Sequence, residues 1–156
     1  MTRYAEKTSV ASGRSRAEIE KTLSRYGASG FMYGWQEDTA VVAFEMQARR
    51  VRFDLPMPDR RDPEFTRTPT GRSRSRTQSE AAYDQAVRQR WRALALVIKA
   101  KLEAVESGIT EFEEEFLAHI VLPGGQTVGH WMLPQVAHAY ETGKMPQLLP
   151  GPGSRL

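Results

Sequence analysis

Apolar residues recur along this chain at two different periods, and the period changes where helix gives way to strand. Ser15 and Glu18 have the spacing of a capping box, in which each side chain accepts a hydrogen bond from the other residue's free backbone N–H. Ile19 and Leu23 then follow at helical spacing. The pattern predicts an N-terminal helix over residues 15–26.

Alternation at period two replaces the helical period in the next segment. Apolar side chains occupy every second position of residues 31–35, 40–46 and 51–55, and short polar turns at 36–38 and 48–49 separate these runs. Such alternation with tight connections is typical of an antiparallel meander that buries one face. The sequence therefore predicts three consecutive antiparallel strands.

The longest periodic element follows a polar connector over residues 56–77. Thr77 and Glu80 repeat the capping-box spacing, and Gly108 is expected to end the helix. The apolar positions step by three or four residues over six turns: Tyr83, Val87, Trp91, Leu94, Ile98, Leu102 and Val105. This stripe predicts a long amphipathic helix packed on the sheet.

Short helices are expected in the C-terminal third. One is predicted near residues 112–120, and a last helix is predicted to start with Pro134 at its first position and stop at Gly143. Its inward side chains are predicted to be Val136, Ala137 and Tyr140. The predicted fold class is α+β, with an N-terminal helix, a three-stranded antiparallel meander, a long amphipathic helix on the sheet and short C-terminal helices.

The predicted domain organisation is simple. A flexible arm covers residues 1–13, one α+β domain covers 14–149, and a disordered tail covers 150–156. The chain has no cysteine, and no stretch is apolar enough for a signal peptide or a membrane span. We therefore expect a cytoplasmic protein without a membrane partner.

The positive charge is concentrated in one stretch. The whole chain has a formal net charge of +3, whereas residues 49–101 hold 14 Lys or Arg against 6 Asp or Glu. Residues 111–156 hold 2 basic and 5 acidic side chains. Six arginines lie in the connector: Arg60, Arg61, Arg67, Arg72, Arg74 and Arg76. Such a concentration of arginine fits a polyanion, and nucleic acid is the expected partner.

We predict one positive groove between the third strand, the connector and the long helix. Three basic residues of the helix fall within about 40° of one another on a helical wheel, which places them on one face. The predicted nucleic-acid contacts are Arg50, Arg52, Arg88, Arg92 and Lys99 for phosphates, Arg72, Arg74 and Arg76 as a flexible clamp, and Tyr33 or Trp35 for base stacking. Core packing is the preferred interpretation of the aromatic side chains Phe31, Tyr33, Trp35 and Trp91 as a group, with Tyr33 and Trp35 as the exceptions.

No motif predicts catalysis. The cluster Glu111, Glu113, Glu114 and Glu115 fits the first turn of a helix, where the side chains fan outward, better than a metal site. The histidines His119, His130 and His138 lack zinc-ligand spacing. We therefore expect a protein that is not an enzyme and needs neither a metal nor another cofactor. A metal-dependent nuclease that uses Asp54 and Asp59 is a third and less favoured hypothesis.

Three segments resemble a group of small uncharacterised proteins encoded in bacteriophages and prophages. They are residues 25–35 (RYGASGFMYGW), residues 82–105, and residues 140–151 (YETGKMPQLLPG). The order of elements is also similar to the core of phage single-strand annealing proteins. That second resemblance implies DNA bound in a basic groove between sheet and helix, and assembly into a homo-oligomer.

The sequence thus predicts a non-catalytic nucleic-acid-binding protein of phage type, acting on single-stranded DNA in replication or recombination. The alternative is a phage accessory protein that binds and modulates a host defence or replication protein. Its contact surface would be the acidic, aromatic C-terminal third around Phe112, Phe116, Trp131 and Tyr140. Exposed aromatic side chains there, with basic residues dispersed elsewhere, would favour that alternative.

Overall fold

The computed structural model describes residues 3–145, with side chains from residue 12 onward, and its elements follow the predicted α+β order. In chain order they are α1 (Arg3–Arg25), β1 (Gly30–Gln36), β2 (Thr39–Met46), β3 (Arg49–Pro56), α2 (Pro63–Thr66), α3 (Arg76–Glu106), α4 (Phe112–Glu115), a 3-10 turn (Leu117–His119) and α5 (Val128–Thr142). The predicted disordered tail at 150–156 lies outside the described residues.

The first helix begins earlier than the capping pattern predicts. The backbone of residues 3–13, predicted as a flexible arm, belongs to α1, so the predicted start at Ser15 is wrong. No proline interrupts these residues, and the single Gly13 costs a helix only about 1 kcal/mol. The helix ends at Arg25, one residue before the predicted end, and Gly27 adopts the predicted left-handed conformation after it at φ 92°.

The three predicted strands form one antiparallel sheet in the order β1-β2-β3. Both hairpins have two-residue turns, and the second turn consists of Gln47 and Ala48 at φ 50° and 61°. The turn lies one residue before the predicted position, since Arg49 already pairs with Met46. Positive φ at both turn residues matches the twist of the flanking strands, although neither residue is glycine.

The core lies between the inner face of the sheet and two helices. Alternation holds in β2 and β3, where Val42, Phe44, Val51 and Phe53 are all buried. The predicted stripe on α3 covers this face, and Trp91 at its centre is completely buried. The buried members of the stripe are Tyr83, Val87, Trp91, Leu94, Ile98 and Leu102, with Val105 half-buried. The helix α1 adds Ile19 and Leu23 to the same core.

The connector is folded rather than loose. Its short helix α2 places Phe65 in the core, where the ring meets Tyr83 edge-on at 5.5 Å between centroids. A β-bridge joins Arg67 to Ser73. The cap of α3 is Ser75, which forms a capping box with Gln78, so the predicted Thr77 cap is wrong by two residues. Gln78 carries out the role expected of Glu80, because a glutamine side chain can also accept from the cap N–H.

The C-terminal third attaches to the free edge of β3. Ile120 forms a β-bridge with Val51, and the next residue, Val121, donates its N–H to the Arg50 carbonyl at 2.9 Å. The helix α5 then begins at Val128 and is capped by the Thr127 hydroxyl. This cap lacks the Glu or Gln partner of a capping box, which explains why the sequence pattern predicts a later first residue for the last helix.

Two predictions for the last helix are wrong. Pro134 lies inside α5 rather than at its first position, while Gly143 ends the helix in the left-handed conformation as predicted. All three side chains predicted to face inward are exposed: Ala137, Val136 at 42% and Tyr140 at 88%. Within residues 3–145, no helix is long and apolar enough to span a bilayer.

Candidate nucleic-acid interface

A cleft between α1 and α3 gathers three arginines. It has a volume of about 500 Å³ and is lined by Arg14 of α1 and by Arg88 and Arg92 of α3. Glu18 supplies an opposing carboxylate, which leaves a local charge of +2 on the described lining. We call this feature the interhelical cleft.

Helical spacing and close packing position these side chains. Arg88 and Arg92 are one turn apart on the same face of α3, and Ala95, buried between the helices, lets α1 approach beside them. Like charges one turn apart cost a helix about 0.2–0.5 kcal/mol, and a bound polyanion would relieve that repulsion. Lys99 follows seven residues after Arg92, about 10 Å further along the axis.

The cleft arginines are available to a ligand. All three are exposed, and none of the ion pairs among residues 12–145 involves them. A row of exposed guanidinium groups can bind successive phosphates of a strand, because each contact releases a condensed counterion.

The two arginines of β3 are not part of this cleft. Val51 and Phe53 face the helices, so Arg50 and Arg52 project from the opposite face of the sheet. Arg50 pairs with Glu45 at 3.0 Å, and Arg52 pairs with Asp54 at 3.1 Å. The single groove predicted from strand and helix arginines is therefore not formed.

The connector arginines lie in an ordered loop at the amino end of α3. The backbone N–H of Arg72 donates to the Thr68 hydroxyl, and the Arg74 Nε donates to the Arg67 carbonyl at 2.9 Å. Arg76 is the first residue of α3, with its side chain 91% exposed. The backbone of these residues thus belongs to a folded segment, whereas the sequence predicts a flexible clamp.

The two aromatic candidates are packed at the edge of the core. The Tyr33 ring lies 5.3 Å from that of Trp91 between centroids, and the guanidinium of Arg16 stacks over it at 4.2 Å. Trp35 donates its indole N–H to the Tyr33 hydroxyl at 2.7 Å. Both rings are only half-exposed and already have protein partners, so this arrangement offers no open platform for a base.

Sequence reasoning missed the contribution of α1. Arg14 faces the α3 arginines across the cleft, and Arg16 covers Tyr33. A helical wheel shows which residues of one helix share a face, but it does not show which other helix packs against that face. The only available signal was that both residues are basic and adjacent to the predicted cap Ser15.

The acidic cluster is dispersed, as the predicted helical fan requires. Glu113 pairs with Arg49 at 2.9 Å, while Glu115 pairs with Lys101 at 3.1 Å on another side. Within the described part of the chain, no group of three or more His, Asp or Glu side chains is arranged to hold a metal ion.

His119 lies in the 3-10 turn and packs against β3. Its ring stacks on Phe53 at 4.0 Å between centroids. Burial is the main cause that lowers its pKa, and the nearby Lys101 lowers it further. This contact makes the ring part of the packing between the 3-10 turn and β3.

Comparison with known proteins adds no relative. No protein-family model, no curated protein and no solved structure matches this chain.

Proposed function

We propose that this protein is a non-catalytic nucleic-acid-binding protein that contacts single-stranded DNA through the interhelical cleft. The supporting observation is the meeting of Arg14 with Arg88 and Arg92, two helices contributing exposed guanidinium groups to one groove. Lys99 extends the same face of α3 by about 10 Å. We propose that this activity serves phage replication or recombination.

The physical basis of the proposal is phosphate neutralisation. Bases have no prepared stacking platform at Tyr33 and Trp35, so the expected contacts are to the backbone. Backbone contacts carry no sequence information. The proposed binding is therefore independent of sequence and strongly dependent on salt.

Fluorescence anisotropy of labelled single-stranded and duplex DNA, measured at several salt concentrations, tests the proposal. Arg88→Gln and Arg92→Gln should each make the negative slope of log affinity against log salt shallower by about 0.7 for single strands. Arg50→Gln is the matched control, because Arg50 is already paired with Glu45 and lies across the sheet. Equal slopes for the cleft variants and the wild type, or no binding at low salt, would contradict the proposal.

A second candidate function is supported by α5. Leu133, Val136, Ala137 and Tyr140 recur at spacings of three, one and three residues, and all four are exposed. Trp131 is 36% exposed, whereas Phe112 and Phe116 are buried and unavailable to a partner. An exposed apolar stripe on a helix is typical of a surface that packs into a groove of another protein. We therefore keep an alternative hypothesis, in which this chain is an accessory protein that binds a host protein.

Site-specific photocrosslinking in host cells tests this alternative. A crosslinker at Tyr140 should capture one discrete host protein, and a crosslinker at the exposed Glu20 of α1 serves as the control. With the crosslinker kept at position 140, the double variant Leu133→Ser and Val136→Ser should abolish capture but leave DNA binding unchanged. Equal labelling from both positions would argue against a partner on α5.

A further inference from the structure

A second basic cavity lies at the amino end of α3, between that helix and the folded connector. It has a volume of about 430 Å³, and its described lining shares no residue with the interhelical cleft. We call it the arginine cavity. The lining side chains that matter here are Arg60, Arg74, Arg76, Thr66, Ser79 and Glu80.

Two of its arginines are held in place by the fold. The Arg60 guanidinium stacks over the buried Tyr83 ring, 4.1 Å from the centroid. Arg74 is anchored through its Nε to the Arg67 carbonyl at 2.9 Å. The backbone N–H of Arg74 also donates to the Thr66 carbonyl at 2.8 Å. Guanidinium groups fixed in this way lose little freedom when an anion binds.

The third arginine is free to adjust. Arg76 is 91% exposed, and its contact with Glu80 is long, at 3.9 Å between Nε and Oε1. Such an exposed pair contributes little to stability, so exchanging the carboxylate for a stronger anion costs little. Ser79 and Thr66 add hydroxyl groups to the same lining.

The charge of the cavity selects the class of anion. Three arginines against the one glutamate of the described lining give +2. A phosphomonoester carries about −1.5 to −2 at neutral pH and has three strong acceptor oxygens, whereas an internal phosphodiester carries one negative charge. Arginine forks match phosphate oxygens with paired hydrogen bonds. The volume also exceeds that of a lone phosphate and falls within the usual range of small-ligand pockets.

We propose that the arginine cavity binds a phosphomonoester. Two sources share this chemistry: a free nucleotide, and the terminal phosphate of a nucleic-acid strand. Arg60 and Arg74 form the fixed part of the site, and Arg76 closes on the phosphate after leaving Glu80. This assignment stands apart from the proposed function, since the cleft and the cavity use different residues.

Calorimetric titration of the full chain in a phosphate-free buffer tests the assignment. Deoxyadenosine 5′-monophosphate should bind, and deoxyadenosine without the phosphate should not. Arg74→Gln and Arg76→Gln should each weaken nucleotide binding about tenfold or more, because each removes charge-assisted hydrogen bonds. Glu80→Gln should strengthen binding, because it removes the competing carboxylate.

Two further arms separate the sources and the sites. In the Arg88→Gln variant, a single-stranded decamer with a 5′-phosphate that binds more tightly than the same decamer with a 5′-hydroxyl identifies a strand end. Equal affinity of the two decamers, with the nucleotide still bound, identifies a free nucleotide. Arg88→Gln itself should leave nucleotide binding unchanged, because it alters only the cleft. Arg76→Gln changes an exposed side chain, so the variant should keep the fold of the wild-type protein. Circular dichroism of the variant checks this.

Three results would overturn the assignment. The first is an absence of binding by the nucleotide at millimolar concentration. The second is wild-type affinity in both the Arg74→Gln and Arg76→Gln variants. The third is equal affinity for the nucleotide and the unphosphorylated nucleoside, which would show that the phosphate is not what the cavity recognises.

Discussion

Replacing Phe65 by alanine distinguishes a docked connector from a flexible one. Phe65 lies among polar residues of the connector, yet only 1% of its surface is exposed and its ring meets Tyr83 edge-on. If the connector were a loose loop, removing this ring would change the free energy of unfolding very little. If the connector is docked, the change removes core packing and leaves a cavity.

The expected magnitude follows from the burial of the ring. A buried phenylalanine covers about 150–250 Å², and Phe→Ala substitutions in cores cost about 3–5 kcal/mol. The helix α2 is a single turn and can partly collapse into the space, which places the expected loss near the lower end, at about 3 kcal/mol. That is a large part of the 5–15 kcal/mol typical of a domain.

Urea unfolding followed by circular dichroism and tryptophan fluorescence measures this loss. The midpoint should fall while the denaturant slope stays unchanged, because the unfolded state exposes nearly the same surface. Glu64→Ala is the matched control: Glu64 is exposed in the same helix turn, and its replacement should stay within about 0.5 kcal/mol. A loss below about 1 kcal/mol for Phe65→Ala would refute the docked connector and with it the preorganisation of the arginine cavity.

Three other substitutions have expected outcomes. His119→Phe should remove a pH dependence: the lowered pKa of the folded-state ring means that wild-type stability falls as pH drops below about 6.5, whereas the variant lacks this loss. Gly129→Ala should destabilise the docking of α5 by about 1–3 kcal/mol, because a Cβ there would lie 2.9 Å from the Ala118 carbonyl oxygen. Ala48→Gly should stabilise the protein by about 0.5–1 kcal/mol, because φ 61° strains a residue with a side chain.

Thermal and urea unfolding check these three, each beside its control. For His119→Phe the comparison is the pH profile of both proteins between pH 7 and pH 5, and parallel profiles would contradict the prediction. For Gly129→Ala the control is Gly124→Ala, where a Cβ would meet nothing within 4 Å. For Ala48→Gly, a decrease in melting temperature would show that the lost chain entropy outweighs the relieved strain.

Elements with a sustained period were predictable because local sequence decides them. The stripe on α3 repeats over six turns, and the alternation in β2 and β3 leaves a single arrangement that buries one face. Short elements were not predictable to the same degree. Phe65 is an isolated apolar residue in a polar segment, so no period marks it as part of the core.

The ends of helices were the weakest part of the prediction. The spacing of Ser15 and Glu18 also occurs inside α1, and Pro134 fits both the first turn of a helix and, at a cost, its interior. Tyr140 was assigned inward because apolar spacing does not indicate whether another element is present to cover it. In the described structure, α5 has an apolar stripe and no covering element.

The sequence by itself determined the α+β order, the sheet face that is buried and the concentration of arginine before and along α3, because each depends on residues close together in the chain. Only the tertiary structure decided which arginines act together. Arg14 and Arg88 meet through the packing of two helices far apart in sequence, while Arg50 and Arg52 are separated from them by the thickness of the sheet. The charge of each residue can be read from the sequence. A binding surface, however, depends on the distances between charged side chains, and only the packing of the core fixes those distances.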